Sequence, residues 1–132
     1  MTISGIALTT TAPEEIMGMG GPYVADLYIG KQLISKKCIA GNFVYERDTK
    51  LLFFVKHHLI GSYHYFTINF FNETHNCVFE FVRKFDMVYI KEFVGPNVLK
   101  IYHAFHDNAE SAKLVFKLDE EDFDEIVFAE LL

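Results

Sequence analysis

The chain has 132 residues, 51% of them hydrophobic, with 14 Phe, 7 Tyr and no Trp. That length suits a single globular domain over 1–132 (roughly 100–200 residues is usual), and so aromatic a composition excludes a disordered chain, which lacks apolar surface to bury. The formal net charge is −6 and only 2 of the 12 basic residues are Arg, which argues against a nucleic-acid partner, because that affinity rests on neutralised phosphates.

Ile3–Leu8 reads as an edge strand. Thr11-Ala-Pro-Glu-Glu-Ile-Met17 carries helix-start chemistry: Thr11 as cap, Pro13 in the first turn, Glu14 and Glu15 at its positive end. Gly18-Met-Gly-Gly-Pro22 then interrupts regular structure, and without a following Lys-Ser/Thr it is a loop rather than a phosphate cradle. Tyr23–Ile29 alternates as a half-buried strand does. Ile39–Glu46 is a further strand, with Gly41 placed for a bulge. Leu51–Val55 is apolar at every position, the pattern of a central strand covered on both faces.

Tyr63–Phe71, Asn76–Arg83 and Met87–Val94 follow as three strands joined by polar connections of hairpin length. In the first, His64, Phe66, Ile68 and Phe70 share one face, so that face is apolar and the other mixed. Gly95-Pro96-Asn97 is a turn, Val98–Phe105 a strand, and Ala112–Leu118 a strand with Leu114, Phe116 and Leu118 inward. The period changes after Asp119. Phe123, Ile126, Val127 and Leu131 fall at helical spacing behind an acidic cap, which predicts a short amphipathic C-terminal helix. The chain is therefore expected to be mainly β: an antiparallel meander of about eight strands, rolled into a barrel or folded as a two-layer sandwich. An α+β sheet backed by terminal helices is the alternative.

The apolar runs fall short of the roughly 20 residues that a membrane helix needs. Met1–Leu8 has no basic residue and lacks the form of a signal peptide. With Cys38 and Cys77 read as free thiols, the expected location is the cytoplasm, with no membrane partner.

Six histidines raise the question of a metal. Zinc requires three or four converging ligands, yet adjacent strand residues such as His57 and His58 point to opposite faces, as do His103 and His106. No metal and no cofactor is expected. Cys77 alternates with Phe79 and Phe81 as a small core residue, His103 shares a core face with Ile101, and no Ser-based nucleophile motif is present. Asp119–Glu125 resembles a calcium loop in composition only, lacking its Gly and its closing Glu. Tyr63, Tyr65, Tyr89 and Tyr102 offer stacking surface, but the scattered basic residues do not accompany it.

Charge is distributed unevenly. Up to His106 there are 10 basic and 9 acidic residues; from Asp107 onward there are 2 Lys and 9 acids. A soluble helix face accounts for such a run. The functional expectation is a non-enzymatic module that docks a basic protein partner through Asp119, Glu120, Glu121, Asp122, Asp124 and Glu125, with Phe128 as anchor. Antagonists of basic toxins or nucleases, of the immunity-protein kind, share this size and charge. The alternatives are a barrel enclosing a small apolar ligand oriented by His64 and His103, and an enzyme of unrecognised type using histidines assembled by the fold. Aromatic edge strands also suit a homodimer.

Overall fold

The computed structural model describes residues 2–16, 21–103 and 114–127. Its strands are β1 (Thr2–Ile3), β2 (Ile6–Thr10), β3 (Glu14–Glu15), β4 (Tyr23–Ile29), β5 (Gln32–Glu46), β6 (Leu51–Ile60), β7 (Tyr63–Asn72), β8 (Cys77–Phe81), β9 (Tyr89–Phe93), β10 (Val98–Tyr102), β11 (Val115–Lys117) and β12 (Phe123–Ile126). All pairings are antiparallel. One sheet runs β1-β2-β4-β5-β6-β7-β8-β12, with β3 also on β4; a second runs β11-β10-β9. The mainly β, antiparallel expectation holds. No helix backs either sheet among the described residues, so the α+β alternative does not.

The large sheet is a meander through β8 and then stops being one. Lys84–Asp86 does not close a hairpin. Phe85 forms a bridge to Phe66 and buries its ring, and the chain then leaves the sheet. β9 instead pairs with β10, and β12 takes the place beside β8.

The period-2 alternation explains the two cores. Phe53 and Val55 of β6, with Phe66, Ile68 and Phe70 of β7 and Phe81 of β8, lie on one face. The small sheet covers that face with Ile90, Leu99, Ile101 and Phe116, together with Val88 just before β9. The opposite face carries Leu52, Phe54, Phe71 and Val78, which join Ile3 and Leu27 from the far end of the sheet in a second cluster. Strands from both ends meet in that cluster, so the sheet curls around it and this face is concave. Glu73, in the β7–β8 turn, accepts hydrogen bonds from Ser4 and from Tyr45 (2.8 Å), holding the β1–β2 turn against the other end. Leu52, Phe53, Phe54 and Val55 are each 0% exposed, which is what an apolar run covered on both sides requires.

Gly41 supplies the expected bulge. Its φ of +76° is open to glycine and costly for other residues, and the β5–β6 register shifts between Cys38 and Phe43. Beside the bulge, Asn42 acts as a piece of strand: its Nδ2 donates to the Ile90 carbonyl (2.9 Å) and its Oδ1 accepts from the Ile90 N–H (2.8 Å). The small sheet is thereby pinned to β5.

Two expected helices are corrected. Thr11–Ile16 does not start one: Thr11 Oγ1 accepts from the Asp26 N–H (2.9 Å) instead of capping its own turn, and Glu14 and Glu15 pair with β4. The C-terminal helix is replaced by a three-residue 3-10 turn, Leu118–Glu120, followed by β12. Strand pairing with β8 satisfies the backbone there and sets the Phe123 ring against Phe70, Phe79 and Phe81. Met17–Gly20, Ala104–Lys113 and Phe128–Leu132 lie outside the described residues, and with them part of the glycine loop, His106 and Phe128.

Candidate functional site

β11, the 3-10 turn and β12 build one edge of the molecule. Phe116 and Leu118 point toward the buried face, and the Leu118 N–H donates to the Asn97 carbonyl (2.8 Å), seating the turn beside the β9–β10 loop. The Val82 N–H donates to the Asp122 carbonyl (3.0 Å), which brings the chain onto the edge of β8. β12 is the last strand of the large sheet, and among the described residues its outer edge pairs with nothing.

The expected acidic residues gather here. Asp119, Glu120, Asp122, Asp124 and Glu125 are exposed, while Glu121 is half-buried. Two are engaged internally: Glu121 with Arg83 (3.7 Å) and Glu120 with Lys117 (4.0 Å). Asp119, Asp122, Asp124 and Glu125 form no ion pair among the described residues. Asp124 lies across from Glu80 in the β8–β12 register.

Phe123 is the exposed aromatic residue of this edge among the described residues. It is 48% exposed although its ring meets three other Phe rings edge-on at 5.4–5.7 Å. Beneath it lies a cavity of about 230 Å³, lined by Leu51, Phe53, Phe70, Phe81, Phe123, Asn97, Leu118 and Asp119. Sequence reasoning found the charge but not the cavity. Phe53, Phe70, Phe81 and Phe123 come from four strands, and only the register brings them together.

A polar network on the concave face also escaped the sequence. His58 Nε2 lies 2.8 Å from Glu80 Oε2 and 3.1 Å from Thr67 Oγ1, and the Thr67 hydroxyl donates to the same carboxylate oxygen (2.7 Å). Burial pushes the Glu80 carboxyl up, but the hydrogen bonds from His58 and Thr67 and the charges of His58 and Lys56 outweigh it, leaving Glu80 below the usual carboxylate range. Asn69 Nδ2 donates to Thr67 Oγ1 (3.0 Å), while its buried Oδ1 accepts no hydrogen bond among the described residues. Lys56 donates to the Lys36 carbonyl (3.1 Å), and burial holds its ammonium below the usual range. Alternating polar positions such as Lys56, His58, Thr67 and Asn69 were the available signal, concealed by the apolar residues on the other face.

His57 and His58 point to opposite faces, as strand geometry requires. His57 Nε2 sits 2.8 Å from His64 Nδ1, the rings stacked with centroids 5.1 Å apart. Burial first, then the charges of His64, His58 and Lys37, push His57 down to about 4. His64 therefore belongs to a histidine pair near the β6–β7 hairpin. His103 is exposed and lies against the Phe85 ring (5.7 Å), not in the core. Among the described residues no three His, Cys, Asp or Glu side chains gather to hold a metal ion.

Both cysteines are free. Burial, more than any neighbouring group, pushes the Cys38 thiol up to about 12, and burial with the nearby Glu125 charge raises Cys77, so neither is poised as a thiolate. The tyrosines do not form one stacking face: Tyr63 and Tyr65 belong to β7, while Tyr89 and Tyr102 stack together on the small sheet. Among the described residues no helix is long and apolar enough to cross a membrane. Comparison with known proteins found no matching family model, no matching curated protein and no matching solved structure.

Proposed function

We propose that the chain is a non-enzymatic binding protein whose acidic C-terminal edge docks a basic protein partner. The observation that carries this reading is the set of exposed carboxylates Asp119, Asp122, Asp124 and Glu125, none spent on an ion pair among the described residues. No internal ion pair among the described residues calls for them.

The recognition has three physical parts. The negative field steers a positively charged surface toward this edge and raises the association rate. The outer edge of β12 offers backbone donors and acceptors in strand spacing, to which an extended segment of the partner adds. Phe123, half exposed among other rings, supplies an aromatic anchor at the centre of the patch. An antagonist that masks a basic toxin or nuclease would use this combination.

Two baits test the reading in lysate of the source cells: the natural chain, and a variant with Asp122→Lys, Asp124→Lys and Glu125→Lys. The three sites are exposed, so folding should survive with stability changed by about 0.5 kcal/mol or less per site. The expected result is a basic protein captured by the natural chain, released as salt rises, and absent from the variant. Equal capture by both baits contradicts the reading.

A further inference from the structure

We infer that the cavity beneath Phe123 seats one arginine side chain of the basic partner, an inference that rests on the docking reading above. Phe53, Phe70, Phe81 and Phe123 give the cavity aromatic walls, and the exposed Asp119 lines it with them. Rings attract a cation over their faces, and a guanidinium combines that attraction with planar stacking and paired hydrogen bonds to a carboxylate. A purely apolar side chain would also fill the space. It would leave the Asp119 carboxylate without a partner beside a surface that is already strongly negative.

The molecule itself combines an arginine, a ring and a carboxylate at Glu121, two residues along the chain from Asp119. The Arg83 guanidinium carbon stands 5.0 Å from the centre of the Phe85 ring, while its Nη1 lies 3.7 Å from a carboxylate oxygen of Glu121. Glu121 and Asp119 come from the same short segment. Glu121 is engaged by Arg83 from within the chain, and Asp119 makes no ion pair among the described residues. The incoming side chain would do at Asp119 and the cavity rings what Arg83 does at Glu121 and Phe85. Arginine is the fitting cation because its weakly hydrated guanidinium loses less on leaving water than an ammonium does.

The probe is N-acetyl-arginine methylamide, titrated into the full chain carrying isotope-labelled Phe, with ring resonances followed by NMR. N-acetyl-norleucine methylamide is the apolar control of similar reach. The expected result is saturable shifts of the Phe70 and Phe123 rings with the arginine probe. Asp119→Asn should weaken its affinity by about tenfold or more, and norleucine should bind more weakly than arginine. Asp119 is exposed, so this variant keeps the fold. Equal affinity for the two probes, unchanged affinity in Asp119→Asn, or no ring shift at millimolar arginine probe would each overturn the arginine seat. The titration needs no partner: its failure with successful capture removes the seat alone, and its success with failed capture removes the docking surface.

Discussion

His57 is 8% exposed, and its ring nitrogen shares a hydrogen bond with His64 that needs one ring to accept. Protonating His57 places a charge in a desolvated site beside the charges of His64, His58 and Lys37, which is why its proton affinity falls to about 4. An unfolded histidine titrates near 6.5, so between those values the unfolded chain binds more protons than the folded one. The stabilising neutral state is fully present above about 6.5, and stability should decline as pH falls from there through about 4. Urea unfolding midpoints across this window should show the decline in the natural chain and a flatter profile in His57→Gln. The opposite faces of His57 and His58 were legible from adjacency alone. Their partners were not, because His64 and Glu80 are chosen by cross-strand register.

At the scale of elements, the bulge at Gly41 and the side chain after it decide where the second sheet sits. Asn42 satisfies both backbone groups of Ile90, a residue only 2% exposed. Asn42→Ala leaves a buried N–H and C=O unpaired and should cost about 1–3 kcal/mol per group, read as a lower denaturation midpoint. Loss of hydrogen-exchange protection should appear first in β9. A midpoint equal to that of the natural chain would show that the clamp contributes nothing. The bulge was visible as a glycine inside a strand pattern, and β6 as an unbroken apolar run. The clamp was not visible, since a polar Asn in a strand carries no mark of which carbonyl it meets. β12 shows the opposite difficulty. Phe123, Ile126 and Val127 have helical spacing, but pairing with β8 puts Phe123 and Ile126 on different faces, Ile126 against the second core and Phe123 half exposed beside the cavity. A free edge on β8 decided the matter, and local spacing says nothing of free edges.

For the whole molecule, charge and packing are separated. The aromatic rings fill two cores, one under the small sheet and one inside the curl of the large sheet, and they hold the acidic edge in place. The sequence already located the charge, because seven carboxyl groups fall between Asp119 and Glu130. The placing of the six from Asp119 to Glu125 along one edge depended on the position of β12, which the fold alone supplies. Four carboxylates that form no ion pair among the described residues, and the cavity beside Asp119, are the features on which the proposed docking and its selectivity rest.

Steering of this kind has a distinct kinetic signature. The measurement that tests it most directly is the association rate of the captured partner as ionic strength is raised, for the natural chain and for the variant with Lys at 122, 124 and 125. The natural chain should associate fastest at low salt and slow steeply as salt screens the field, while the variant should be slower throughout with a flatter dependence. Rates that coincide for the two chains at every ionic strength would contradict the docking surface.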